Sequence, residues 1–229
     1  MRRSAALAWA LAVALVGASM VVASPAVAAA THSTRVDMDA FPSGPVIYKT
    51  SVSIDGQVVY VADDGSQHAV EGTVVLKRRY LGTTTWRTLG TDQMSGFLPA
   101  FNFTVAATRN AQYKVSYAGN ATYGPSSSSV VIKVARKVSA TGKEPRPNVF
   151  FLSGRVTPSY AKKSVALMRK KCRSCAWKTY ARQATSATSR YRFRLPVPSR
   201  GTHYFRVKVP PSVSYITSYS GTWTITRIL

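Results

Sequence analysis

The sequence predicts an all-β protein made of two tandem antiparallel β-sandwiches, and three observations carry that prediction. Helical periodicity is missing after the first 30 residues, whereas period-two alternation is frequent. Turn formers punctuate the chain: Asp63-Asp64-Gly65-Ser66, Gly119-Asn120, Gly124-Pro125-Ser126 and Ser199-Arg200-Gly201. A repeat links the two halves. Val74-Val75-Leu76 is followed after nine residues by Trp86-Arg87-Thr88, and Val165-Ala166-Leu167 after nine residues by Trp177-Lys178-Thr179.

Residues 1–30 read as a secretory signal peptide and stand outside the fold. Arg2 and Arg3 supply the positive start, residues 5–23 are apolar, Ser24-Pro25 breaks the run, and Ala26-Val27-Ala28 or Ala28-Ala29-Ala30 offers a small-residue cleavage site. An uncleaved anchor is the alternative, because the run approaches the length that spans a bilayer. The proline and the small-residue exit favour cleavage. No later segment is long and apolar enough to span a membrane, and no Cys lies near the cleavage site for lipid attachment. The expected product is secreted, with any attachment to the cell envelope non-covalent.

The first sandwich is expected over residues 31–136. Phe101-Asn102-Phe103-Thr104-Val105 and Tyr113-Lys114-Val115-Ser116-Tyr117 alternate apolar with wet positions, as strands do when one face is buried. The second is expected over residues 137–229, where Tyr191-Arg192-Phe193-Arg194-Leu195 and Phe205-Arg206-Val207-Lys208-Val209 repeat the pattern. Ile54-Asp55-Gly56-Gln57-Val58 matches Leu152-Ser153-Gly154-Arg155-Val156, and Tyr123 matches Tyr215. From shared Gly to shared Val takes 18 residues in the first copy and 11 in the second, so the first carries a longer acidic loop over residues 63–71. The boundary falls in residues 137–148, as a semi-stiff linker or as the first strand and loop of the second unit. The units are expected end to end with limited contact.

The ordered set Gly-x-Val, Val-x-Leu with a basic tail, Trp-Arg/Lys-Thr, Phe/Tyr-x-Phe and a final strand ending in Arg resembles the tandem immunoglobulin-like domains of bacterial secreted and surface proteins. The resemblance covers residues 48–229. It implies immunoglobulin-like sandwiches serving as spacers, adhesion modules or carbohydrate-binding accessories, and it supplies no catalytic or binding residues.

Charge separates the halves. The whole chain carries +23. The first copy has ten Lys and Arg against seven acids, and the second has 19 against Glu144 alone. Such asymmetry points to an anionic partner, with solubility as the bland alternative. In an immunoglobulin-like arrangement the strands at Val165, Trp177 and Phe205 share a sheet. Lys170, Lys178, Arg182, Arg206 and Lys208 then face outward together, with Tyr180 and Tyr204 among them, a mixture suited to an anionic polymer. Arg155, Arg192 and Arg194 belong to the opposite sheet, which makes the second copy a cationic body more than a groove. No nucleic-acid-binding motif is present.

Cys172 and Cys175 are the only cysteines and flank a hairpin tip. In an exported chain they are expected to form a disulfide. A redox pair lacks a helix N-terminus. Zinc lacks four ligands, since only His203 could join. Trp86 and Trp177 are expected in the cores, as repeated wedges between sheets. Asp63, Asp64 and Glu71 read as solvated turn residues before they read as a calcium site. With Glu144 alone in the second copy, no carboxylate pair forms there. No nucleophile elbow or HExxH motif occurs. No cofactor, metal site or catalytic residue is expected. The functional expectation is a non-enzymatic binding or adhesion protein of the envelope whose basic half attaches to anionic wall polymer or polysaccharide. Its alternatives are a structural spacer and an accessory carbohydrate-binding module of a secreted hydrolase system.

Overall fold

The computed structural model describes residues 30–198 and 200–227. The expected signal peptide, apart from Ala30, lies outside the described residues. These contain strands and turns but no helix.

The N-terminal half holds β1 (Thr34–Phe41), β2 (Val46–Ile47), β3 (Ser51–Val61), β4 (Gln67–Ala69), β5 (Gly72–Tyr80), β6 (Arg87–Met94), β7 (Phe101–Ala106), β8 (Ala111–Tyr117), β9 (Ser126–Ile132) and β10 (Val134–Ala135). One sheet runs β1-β3, with β7 beside β3 and β4 pairing its far end. The facing sheet runs β6-β5-β8-β9. Val36, Val52, Ile54 and Phe101 from the first meet Val74, Leu76, Tyr113 and Val115 from the second in one buried cluster. Strands with one wet face must bury the other, and the second sheet supplies the cover.

The C-terminal half repeats this order. It holds β11 (Lys137–Arg146), β12 (Val149–Thr157), β13 (Ser164–Lys170), β14 (Lys178–Ala184), β15 (Arg190–Leu195), β16 (Gly201–Val209), β17 (Ser218–Tyr219) and β18 (Trp223–Arg227). One sheet runs β11-β12-β15, and the other β14-β13-β16 with β17 and β18 sharing the edge of β16. Leu152, Tyr191, Phe193, Leu167, Phe205 and Val207 form a second buried cluster. In both halves the strand order is immunoglobulin-like, with the fourth main strand joined to the second sheet.

The shared glycines have a steric cause. A Cβ on Gly56 would lie 2.1 Å from the Asp37 carbonyl and 2.7 Å from the Phe101 ring. One on Gly154 would lie 1.8 Å from the Ser139 carbonyl and 2.6 Å from the Tyr191 hydroxyl. The aromatic of the neighbouring strand lies over the glycine in each copy, so a side chain there is excluded. The longer loop of the first copy is a hairpin extension. Ala62 donates its N–H to Ser66 O, and Gly65 takes a φ of 82° at the turn.

Residues 137–146 are the first strand of the second half, the latter of the two expected alternatives. The halves also meet more closely than expected. Tyr215 of the C-terminal half is buried in the N-terminal cluster and donates its hydroxyl to Thr108 O at 2.9 Å. Asn110 donates its backbone N–H to Ser214 O and its side-chain amide to Val213 O. The Arg136 guanidinium lies 3.9 Å from the Tyr215 ring centroid and 4.9 Å from that of Tyr160, and it donates to Pro158 O and Ser159 O. Burial lowers the Arg136 pKa from its ordinary value, with the two tyrosines opposing that shift. A cation held by two rings and two carbonyls fixes one half against the other.

Candidate functional site

The two wet faces of the C-terminal half are built differently. On β15 the alternation is complete: Tyr191, Phe193 and Leu195 are buried while Arg190, Arg192 and Arg194 are exposed. Pairing extends that face across the sheet. One row reads Lys143, Phe151, Arg194, the next Thr141, Ser153, Arg192, and the third Ser139, Arg155, Arg190. Five cations in these rows therefore flank small hydroxyl side chains, and four of them, Lys143, Arg155, Arg190 and Arg192, border a shallow concavity of about 900 Å³ that residues 183–186 also line. The Arg192 guanidinium lies 4.0 Å from the Phe151 ring centroid. Successive arginines on the strand stand about 6.8 Å apart, two residues of strand rise.

The scaffold beneath this face is held firmly. Tyr191 donates its hydroxyl to Ser139 O at 2.6 Å, tying β15 to β11 under the cations. Burial pushes its pKa far above the ordinary tyrosine value. Gln183 of β14, with its amide oriented to suit, bonds both Arg192 O (3.0 Å) and Arg192 N (2.8 Å). Gln183 thereby satisfies the edge-facing backbone groups of Arg192 from the other sheet.

The second wet face carries most of the residues singled out in the sequence. Ala166, Lys208 and Arg182 share a row, as do Met168, Arg206 and Thr179. Lys170 stands opposite Tyr204. The Lys170 ammonium lies 5.2 Å from the Trp177 ring centroid and 5.1 Å from that of Tyr204, and it donates to Arg173 O. The Arg206 guanidinium lies 4.3 Å from the Trp177 centroid and 4.0 Å from that of Tyr219. Lys178 and Tyr180 do not join this set. A β-bulge between Leu167 and Met168 leaves Tyr180 unpaired and sets Lys178 opposite Arg169, on the side of the sheet that bears Phe205. The Tyr180 ring instead receives Arg169 at 4.7 Å.

Trp86 and Trp177 correct the expectation of core wedges. Both are half-buried and belong to neither buried cluster. Each precedes the edge strand of its sheet, where the gap between sheets ends. Each instead lies against cations of its own sheet: Arg79 of β5 at 4.8 Å from Trp86, and Lys170 of β13 and Arg206 of β16 by Trp177. What repeats is a cation–π contact on the outer face.

Cys172 and Cys175 form a disulfide at the exposed hairpin tip. It borders a concavity that also involves Arg169, Lys170, Lys171 and Lys178. Among the described residues, no three His, Cys, Asp or Glu side chains gather as metal ligands. Asp64 accepts from the N–H and hydroxyl of Ser66, which hold its pKa below the carboxylate norm, and Glu71 accepts from Gly96 N. Ser66 Oγ also lies 2.7 Å from His68 Nε2. In this trio the carboxylate binds the serine hydroxyl and not the imidazole, so it does not orient a base as a triad does. The only ion pair among the described residues is Arg35–Asp37, in the N-terminal half.

The arginine face of β11, β12 and β15 is only partly legible in the sequence. Alternation places Arg155, Arg192 and Arg194 on the sheet opposite Arg206 and Lys208, and Arg190 and Lys143 join them only in the fold. The signal was present in Arg190-x-Arg192-x-Arg194, a period-two ladder. What the sequence lacks is the cross-strand register that gathers Arg155 and Lys143 beside it.

No family model and no curated protein matches the chain. Several solved structures are similar at low identity. A cytokine receptor complex aligns with 13% identity and a TM-score of 0.40, over 83% of this chain and 96% of that one. A tetra-tandem repeat from the extending region of a large adhesion protein aligns with 11% identity and a TM-score of 0.34, over 85% of this chain and 49% of that one. The D0-D1 domain of intimin aligns with 10% identity and a TM-score of 0.29, over 85% and 97%. The immunoglobulin-like assignment rests on the strand order of the chain itself.

Proposed function

We propose that this chain is an exported, non-enzymatic binding protein of the cell envelope, whose C-terminal half attaches electrostatically to an anionic wall polymer. One observation carries the reading: six exposed cations on the face of β11, β12 and β15, with Lys137 beside the five already named, none of them in an ion pair among the described residues. Structural ion-pair networks are a common bland use of surface Arg, and they are missing here. A flat, hydroxyl-floored lattice of guanidinium groups suits a chain of repeating anions, since each Arg offers a bidentate fork to a phosphate or carboxylate. The second wet face adds Lys170, Arg182, Arg206 and Lys208 to the same field.

A neutral-glycan module is less well supported. Sugar stacking needs open aromatic faces. The rings of Trp177, Tyr204, Tyr219 and Tyr180 each already receive a cation of this chain. The test is retention of the mature protein on anionic wall preparations as salt rises from low to physiological. Retention that falls steeply with salt is expected, because exposed charge pairs are screened over roughly 8–10 Å. Absent retention overturns the reading in favour of a spacer, and salt-insensitive retention overturns it in favour of a carbohydrate-binding module.

A further inference from the structure

The face of the N-terminal half that corresponds to the arginine lattice carries the opposite charge. Aligning Gly56 with Gly154 and Phe101 with Tyr191 matches Asp37 to Ser139, Asp39 to Thr141, Phe41 to Lys143, Asp55 to Ser153 and Asn102 to Arg192. On the acidic face one row reads Phe41, Ser53, Thr104, the next Asp39, Asp55, Asn102, and a third pairs Asp37 with Gln57. Asp37, Asp39, Asp55, Gln57 and Asn102 border a concavity of about 520 Å³. Only Asp37 has a cationic partner, Arg35, in an exposed pair of the kind worth little. Phe41 projects beside the carboxylates, 74% exposed.

We propose that this acidic sheet face docks on the basic sheet face of a second copy of the chain. The complementarity is geometric as well as electrostatic. When two sheets with the same strand order are laid face to face with strands running the same way, the lateral order reverses. Strand β1 of one copy then lies over β15 of the next, and β3 over β12. With rows aligned, Asp37 faces Arg190, Asp39 faces Arg192, Phe41 faces Arg194, and Gln57 faces Arg155. Reversal thus brings unlike charges together where β1 lies over β15, while on β3 over β12 Asp55 faces Ser153, one row from Arg155. The alternative stacking, β1 over β11, runs the strands oppositely and inverts the rows; with the central rows aligned it sets Asp39 over Thr141 and Asp37 over Lys143, and leaves Arg192 over Asn102 and Arg190 over Thr104, one unlike pair in place of two. Facing sheets pack about 10 Å apart, within reach of Asp–Arg pairs. The contact joins two different surfaces, so each added copy keeps one free face of each sign and the product is an open chain unless its rotation closes a ring.

This contact uses the same basic face as the proposed polymer site, but its partner is distinct and the two fail separately. The experiment is sedimentation of the full mature chain over a concentration series at low salt and at about 0.5 M salt. Wild-type protein is expected to show a weight-average mass that rises with concentration at low salt and returns to monomer at high salt. Reversing one face, as Asp37→Arg with Asp39→Arg or as Arg190→Asp with Arg192→Asp, is expected to weaken association about tenfold or more. Combining all four substitutions restores the wild-type net charge and the complementarity, and is expected to restore association. That rescue separates docking from misfolding and from net-charge effects. A wild type that stays monomeric throughout, or a four-fold variant that stays monomeric while the wild type associates, overturns the proposal. Polymer retention reads independently: the Asp37→Arg, Asp39→Arg variant loses association but keeps retention, whereas loss of wild-type retention condemns the polymer reading alone.

Discussion

The outer faces of the β1-β3-β7 and β11-β12-β15 strands share a backbone and differ in what they display. On β1, β3 and β7 the wet positions hold Asp37, Asp39 and Asp55, with Arg35 paired to Asp37. On β11, β12 and β15 they hold Lys137, Lys143, Arg155, Arg190, Arg192 and Arg194. The inward positions hardly change: Ile54 and Leu152, Val58 and Val156, Phe101 and Tyr191, Phe103 and Phe193. Packing constrains the buried positions, since volume errors in a core are costly, whereas a wet sheet face can change sign without disturbing the fold. The divergence is therefore confined to the wet positions.

The comparison breaks most severely where the scaffold is common to both copies. Gly154→Ala and Gly56→Ala each drive a Cβ into a backbone carbonyl and an aromatic ring, and each is expected to cost roughly 3 kcal/mol in denaturant unfolding. Gly221→Ala, which meets nothing within 4 Å, is expected to stay within about 0.5 kcal/mol. Tyr215→Ala tests whether the halves are coupled. It empties a buried site of the N-terminal cluster and removes the Arg136 stack, for about 2–4 kcal/mol. It is also expected to split one unfolding transition into two. Tyr191→Phe makes the second copy resemble the first at that position. Loss of the bond to Ser139 O is expected to cost about 1 kcal/mol and to leave polymer retention unchanged.

The smallest effect concerns His203, whose pKa is lowered first by burial and then by Arg169 and Lys171. With the folded value below the unfolded one, the unfolded chain binds the proton more readily, so stability rises with pH through this range. A modest fall in thermal midpoint is expected as pH drops below about 6.5. His203→Gln should flatten it, and an unchanged slope in that variant would assign the effect elsewhere.

Much of the fold was legible in the sequence because alternation and turn chemistry are local. The ladder Tyr191-Arg192-Phe193-Arg194-Leu195 declares its strand and its wet side without reference to any partner. The repeat added the strand order. Three features were not legible, for physical reasons. The bulge at Leu167/Met168 shifts register within a strand pair and sends Lys178 to the other side. Trp86 and Trp177 repeat, and repetition alone does not separate a core wedge from a cation–π contact at a sheet edge. The seating of Tyr215 in the first cluster depends on how two folded halves meet, which no period in the chain encodes.

The most direct test of the account compares two variants of equal net charge on immobilised anionic wall polymer at low salt. One carries Arg155→Glu, Arg190→Glu and Arg192→Glu on the β12–β15 face. The other carries Arg87→Glu, Lys114→Glu and Lys133→Glu in the N-terminal half. Salt-dependent retention is expected to fall at least about tenfold in the first and far less in the second. Equal losses in both variants, or retention of the first at the wild-type level, would contradict a binding face on β11, β12 and β15.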